Sequence, residues 1–89
     1  PIIVGLTPKG NEVYGMGVDD KGHGTISTNN SSGKKIFSAT ATTAGDGAIS
    51  TYDTKGKNLI VITSRTNGEG IIVQYNRSGS PSSIWPQRR

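Results

Sequence analysis

The stretch Gly45-Asp46-Gly47-Ala48-Ile49-Ser50-Thr51-Tyr52-Asp53-Thr54-Lys55-Gly56-Lys57-Asn58-Leu59-Ile60-Val61-Ile62-Thr63-Ser64 decides the fold. Ala48-Ile49-Ser50-Thr51-Tyr52 alternates apolar and polar residues and is rich in strand formers. Asp53-Thr54-Lys55-Gly56 reads as a turn: aspartate accepts backbone amides at its first position, and glycine supplies a positive φ at its end. Lys57 to Ser64 is a second strand, dense in β-branched residues. Asn67-Gly68-Glu69-Gly70 is then expected to reverse the chain, because Asn-Gly is a strong hairpin signal. This segment is a β-hairpin.

The hairpin recurs. Gly22-His23-Gly24-Thr25-Ile26, Gly45-Asp46-Gly47-Ala48-Ile49 and Gly68-Glu69-Gly70-Ile71-Ile72 align without gaps at a spacing of 23 residues. Downstream, Thr28 falls on Thr51, Tyr52 on Tyr75, and Asn30 on Asp53 and Asn76. Gly33 falls on Gly56 and Gly79, Lys34 on Lys57, and Ile36 on Leu59. One period upstream, Ile3 matches Ile26, Gly10 matches Gly33 and Val13 matches Ile36. The chain is a single repeat domain over 1–89, with units at about 1–21, 22–44, 45–67 and 68–89. An all-β meander of about eight short strands is expected, with helix disfavoured by the density of Gly, Thr, Ser and Asn.

Composition bears on how such a meander is held together. Only 30% of the 89 residues are apolar, 13 are glycine and none is cysteine, so side chains that fill a core are scarce and no disulfide replaces them. Along the second strand, Leu59 and Val61 face one side while Ile60 and Ile62 face the other. The second side is apolar in other copies too, through Tyr14, Met16 and Val18, then Phe37, Ala39 and Ala41. A thin ribbon cannot cover both of its own faces, the usual condition of stacked repeats. Two architectures satisfy this: an intertwined trimeric β-prism or β-helix, which the scarce core favours, or one chain coiled as a solenoid-like rod or small barrel. The residues assigned to the assembly core are Ile3, Ile26, Ile49 and Ile72, with Val13, Ile36 and Leu59.

The string from Gly45 to Lys57 resembles a short glycine-rich repeat of bacterial surface proteins, abundant in planctomycetes, whose core is G-x-G-x-[IV]-x-x-x-D-x-x-G-K. The resemblance spans nearly the whole chain, most strictly 22–79, although Asn30 and Asn76 replace Asp53 and Ser80 replaces the turn lysine. It implies an exported or membrane-anchored stalk without catalysis.

Chemistry was sought along the repeat. His23, Asp46 and Glu69 occupy one position of successive units, which invites a metal or acid–base reading against the simpler one of an exposed turn. Asp19-Asp20, Asp46 and Asp53 lie in glycine-rich turns, yet calcium-binding nonapeptide repeats need a denser aspartate pattern. The Gly-x-Gly pairs lack the third glycine and helix of a dinucleotide loop, and Gly33-Lys34-Lys35 fails the P-loop pattern. Threonine-rich segments such as Thr40-Ala41-Thr42 do not recur in every unit, against an ice-binding array. No nucleophile–base pair or carboxylate dyad is marked by spacing, so the chain reads as non-enzymatic, with no cofactor and no metal.

Charge is more informative. The net charge is +4, two of the cations being Arg88 and Arg89. Lys9, Lys34, Lys35, Lys55, Lys57 and Arg77 all fall at or beside the first turn of a unit. Stacked units would align them as a ridge for an anionic cell-surface polymer or glycan, or simply as solvated guards of the strand edges. Five aromatics make a poor platform for nucleic acid, and no run reaches the roughly eighteen apolar residues of a membrane helix. No initiator methionine or signal-peptide pattern is present, so Pro1 is expected to follow a cleavage or to have been cut from a longer chain. The expectation is a self-associating structural protein of an extracellular fibre, filament, stalk or spike, on a cell or virion surface. The alternative is a monomeric β-rich module that binds cell-surface or anionic glycans.

Overall fold

A computed structural model describes residues 3–86. Arg88 and Arg89, and the outer ends of the first and fourth units, lie outside them. Eight strands form one antiparallel sheet in strict sequence order. They are β1 (Ile3–Leu6), β2 (Glu12–Val18), β3 (Gly24–Asn29), β4 (Lys35–Ala41), β5 (Gly47–Tyr52), β6 (Asn58–Ser64), β7 (Gly70–Tyr75) and β8 (Pro81–Trp85). The described residues contain no helix. The sheet is open: β1 and β8 form its two edges.

All seven connections share one backbone geometry. In the third unit the Gly56 amide donates to the Asp53 carbonyl at 3.0 Å, and the Asp53 amide donates to the Lys57 carbonyl at 2.9 Å. Gly56 sits at φ 85°, where a Cβ would be strained. This is a three-residue hairpin loop, a type I turn closed by a left-handed glycine. Its glycine recurs at positions 10, 22, 33, 45, 56, 68 and 79, alternately 12 and 11 residues apart. The 23-residue period is therefore two half-units with the same turn.

The reversal between units consequently differs from the sequence expectation. It runs over Arg65-Thr66-Asn67-Gly68, with the Arg65 amide donating to the Glu69 carbonyl at 2.7 Å, and β7 has already begun at Gly70. A two-residue loop centred on Asn-Gly would need positive φ at both central residues. No residue other than glycine has one among those described.

Each unit also carries a β-bulge in its second strand. Thr51 pairs with Ile60 and Tyr52 with Asn58, which leaves Leu59 without a cross-strand partner. The same step occurs at Val13, Ile36 and Ser82. Four bulges of one kind, all next to the same ends of the strands, add right-handed twist along that side.

Register sorts the side chains. Ile3, Met16, Ile26, Ala39, Ile49, Ile62, Ile72 and Trp85 pair in succession across all eight strands, and so form one transverse row on one face. A parallel row on that face includes Tyr14, Phe37 and Ile60. The opposite face carries Gly15, Ser27, Ser38 and Ser50 before turning apolar at Val61, Val73 and Ile84. The alternation of Leu59 and Val61 against Ile60 and Ile62 is thus as the sequence indicated.

Almost nothing is enclosed. The molecule measures 51 × 31 × 15 Å, a single layer, and Val73 at 8% exposure is the one buried apolar side chain among the described residues. Ile3, Ile26, Ile49 and Ile72 are 40% exposed or more. Of the other residues assigned to the core, Ile36 and Leu59 are also exposed and Val13 is half-buried. These last three occupy the bulge positions rather than the row of isoleucines.

Candidate functional site

Consecutive turns of a meander lie at opposite ends of the strands, so the ribbon has two long rims. One holds the turns ending at Gly10, Gly33, Gly56 and Gly79; the other holds those ending at Gly22, Gly45 and Gly68. The first position of each turn selects for a side-chain acceptor. Asp53 Oδ1 accepts the Lys55 and Lys57 amides at 2.8 and 2.9 Å. Asp19 Oδ1 does the same for Lys21 and His23, both at 2.9 Å. Asn30 and Asn76 repeat this pattern and add a serine hydroxyl. Thr7 and Thr42 accept one amide each. These are Asx- and Thr-turns stabilising a fixed loop.

The two bonded carboxylates are electrostatically perturbed for that reason. The His23 amide holds the Asp19 carboxyl below its ordinary value of 3.8, burial opposing and the Lys21 amide assisting. At Asp53 the Lys57 amide has that role, again against burial and with help from the Lys55 amide.

Arg65 breaks the turn pattern. It stands where the other turns have Thr, Asp or Asn, and its Nε pairs with Glu69 at 2.9 Å. Its Nη2 donates to the Pro86 carbonyl at 3.1 Å, tying the turn to the segment after β8. Asn67 Oδ1 accepts the Glu69 amide instead, at 3.0 Å. Sequence periodicity did not single Arg65 out; its signal is the missing acceptor at one turn of seven.

Every charged residue among those described lies on a rim. The first rim has six cations (Lys9, Lys34, Lys35, Lys55, Lys57 and Arg77) against Glu12 and Asp53. The opposite rim has Lys21 and Arg65 against Asp19, Asp20, Asp46 and Glu69, with His23 beside them. The topology thus gathers all six residues of the expected basic ridge on one side of the ribbon. It also puts His23, Asp46 and Glu69 on one side, but at neighbouring turns separated by two strands, about 9.5 Å. No group of three His, Cys, Asp or Glu side chains able to hold a metal forms among the described residues.

The faces between the rims are free of charge and, on the isoleucine side, broadly apolar. Met16 is 45% exposed, Ile62 44% and Trp85 67%. A contiguous exposed apolar surface of this kind is the usual mark of an interaction site.

The chain was compared with protein-family models and with curated proteins, and it matches none of either.

Proposed function

We propose that the protein is a non-enzymatic structural repeat module that self-associates through its apolar faces, as part of an extracellular fibre, filament, stalk or spike. One observation carries the reading: a one-layer sheet with a single buried apolar residue, Val73, and a continuous row of large apolar side chains from Ile3 to Trp85. Burying apolar surface stabilises by about 25 cal/mol per Å², and a chain that leaves this row in water forgoes most of that gain. A second copy has the same row at the same register, so like faces can pack about 10 Å apart. Three such ribbons around a common axis make the intertwined trimeric prism, with the charged rims outward. The uniform half-unit geometry supports a rod whose length follows the number of repeats.

Light scattering of the native chain tests this. A trimer or a longer polymer is expected at micromolar concentration. A monodisperse monomer of 9.3 kDa overturns it.

A further inference from the structure

The basic rim is not uniform along its length. Between the first and second hairpins, Asn11 Nδ2 donates to the Ser31 carbonyl at 3.0 Å and Asn29 Nδ2 donates to the Glu12 carbonyl at 2.9 Å. Those amides tie the gap shut. One unit later, positions 11, 12 and 29 become Lys34, Lys35 and Tyr52, none of which carries a carboxamide to make these bonds. A cleft of about 340 Å³ opens there, lined by Lys34, Lys35, Tyr52, Lys55 and Gly56. The Tyr52 ring is anchored from the sheet side, its hydroxyl 3.1 Å from Ser38 Oγ.

The arrangement is renewed one unit further on. Lys57 and Tyr75 replace Lys34 and Tyr52, and Arg77 stands in the adjoining turn. The Lys57 side chain leans over that turn, with Cδ 3.9 Å from where a Cβ would sit on Gly79.

We propose that this rim binds an acidic polysaccharide, with a carboxylated sugar seated in the Tyr52 cleft and a later sugar of the same chain beside Tyr75. A half-buried aromatic ring offers an apolar surface to the C–H face of a sugar. The flanking ammonium groups are compact point charges that suit single carboxylates. Spacing argues against a nucleic acid. The two tyrosines are two strands apart, about 9.5 Å, whereas stacked nucleotides advance about 3.4 Å each. Successive bases would therefore find no second ring. The site lies on the rim and leaves the apolar faces free, so it does not depend on the mode of assembly.

The test is calorimetric titration of the whole chain with polygalacturonate, with its neutral methyl ester, and with single-stranded DNA of matched charge. Binding to polygalacturonate and not to the ester is expected. Replacing Lys34, Lys35 and Lys55 together by Ala should weaken it by about tenfold or more, and Tyr52→Ala should weaken it comparably. Tyr52→Phe, which keeps the ring, should bind as the parent does, as should Lys21→Ala on the opposite rim. Light scattering on each variant separates a lost site from lost assembly. The proposal is overturned by absence of binding, by equal binding of the ester, or by an equal loss in Lys21→Ala. DNA binding as tight as polygalacturonate and indifferent to Tyr52→Ala also overturns it, because it marks a general polyanion surface.

Discussion

At the scale of single residues, two kinds of position fix the turns: the acceptor that opens each loop and the glycine that closes it. Gly56→Ala places a Cβ at φ 85° in open space, so the cost is conformational, about 1–2 kcal/mol. Gly24 has no positive φ and no neighbour within 4 Å of an added Cβ, so Gly24→Ala should be neutral or mildly stabilising. Urea denaturation of the two variants checks the contrast. Gly5 is different again, since the Tyr14 ring occupies the space a Cβ would need. The aspartates make stability depend on pH. Both carboxyls are held below 3.8 in the folded state, so their contribution is present above the unfolded value and lost as pH falls through the folded one. The urea midpoint should therefore decline below about pH 4, and the Asp19→Asn/Asp53→Asn double variant should flatten that decline. Asn30 and Asn76 already serve in the same role, which is why asparagine retains the turn.

At the scale of elements, the repeat behaves as a module of two strands and two turns. Removing residues 24–46 takes out β3 and β4 with one whole period, and brings Val18 opposite Gly47 as Ala41 is now. A folded six-stranded sheet is expected, visible as retained β circular dichroism with a lower melting temperature. Removing one half-unit instead would transfer every later turn to the other rim and mix the charges there. Much of this element structure was legible in the sequence. The period, the strands and the alternation of Leu59, Ile60, Val61 and Ile62 follow from spacing and pleat alone. The second turn did not, because Asn67-Gly68 carries the chemistry of a two-residue loop, while the seven loops use a wider turn that any acceptor followed three residues later by glycine can make. The bulges were hidden as well: at Val13, Ile36 and Leu59 an unpaired apolar residue looks like any other strand position. Their trace is the unequal lengths of the half-units. The basic rim was visible as a recurrence of lysines at turns, but the Tyr52 cleft was not, since only the pairing of hairpins reveals that Asn11 and Asn29 close the equivalent gap.

At the scale of the whole molecule, the ribbon separates its surfaces by chemistry: charge on the rims, apolar side chains on one face, small polar residues over much of the other. This division makes the mode of assembly measurable with the protein's own fluorophore. Trp85 is the only tryptophan and ends the isoleucine row, paired with Ile72 and 67% exposed. If that face is the interface, its indole passes from water to an apolar contact on association. Emission should then shift to the blue and resist acrylamide as concentration rises through the assembly range. Ile26→Lys with Ile49→Lys puts two charges at the centre of the row, where each is 40% exposed or more in the single chain. A charge buried at an apolar contact without a partner is strongly unfavourable, while the same charge in water costs little. The double variant should therefore dissociate and return Trp85 to an aqueous spectrum. Normal assembly of that variant, with the blue shift intact, would exclude the isoleucine face as the contact and leave the Val61, Val73 and Ile84 side as the one that copies share.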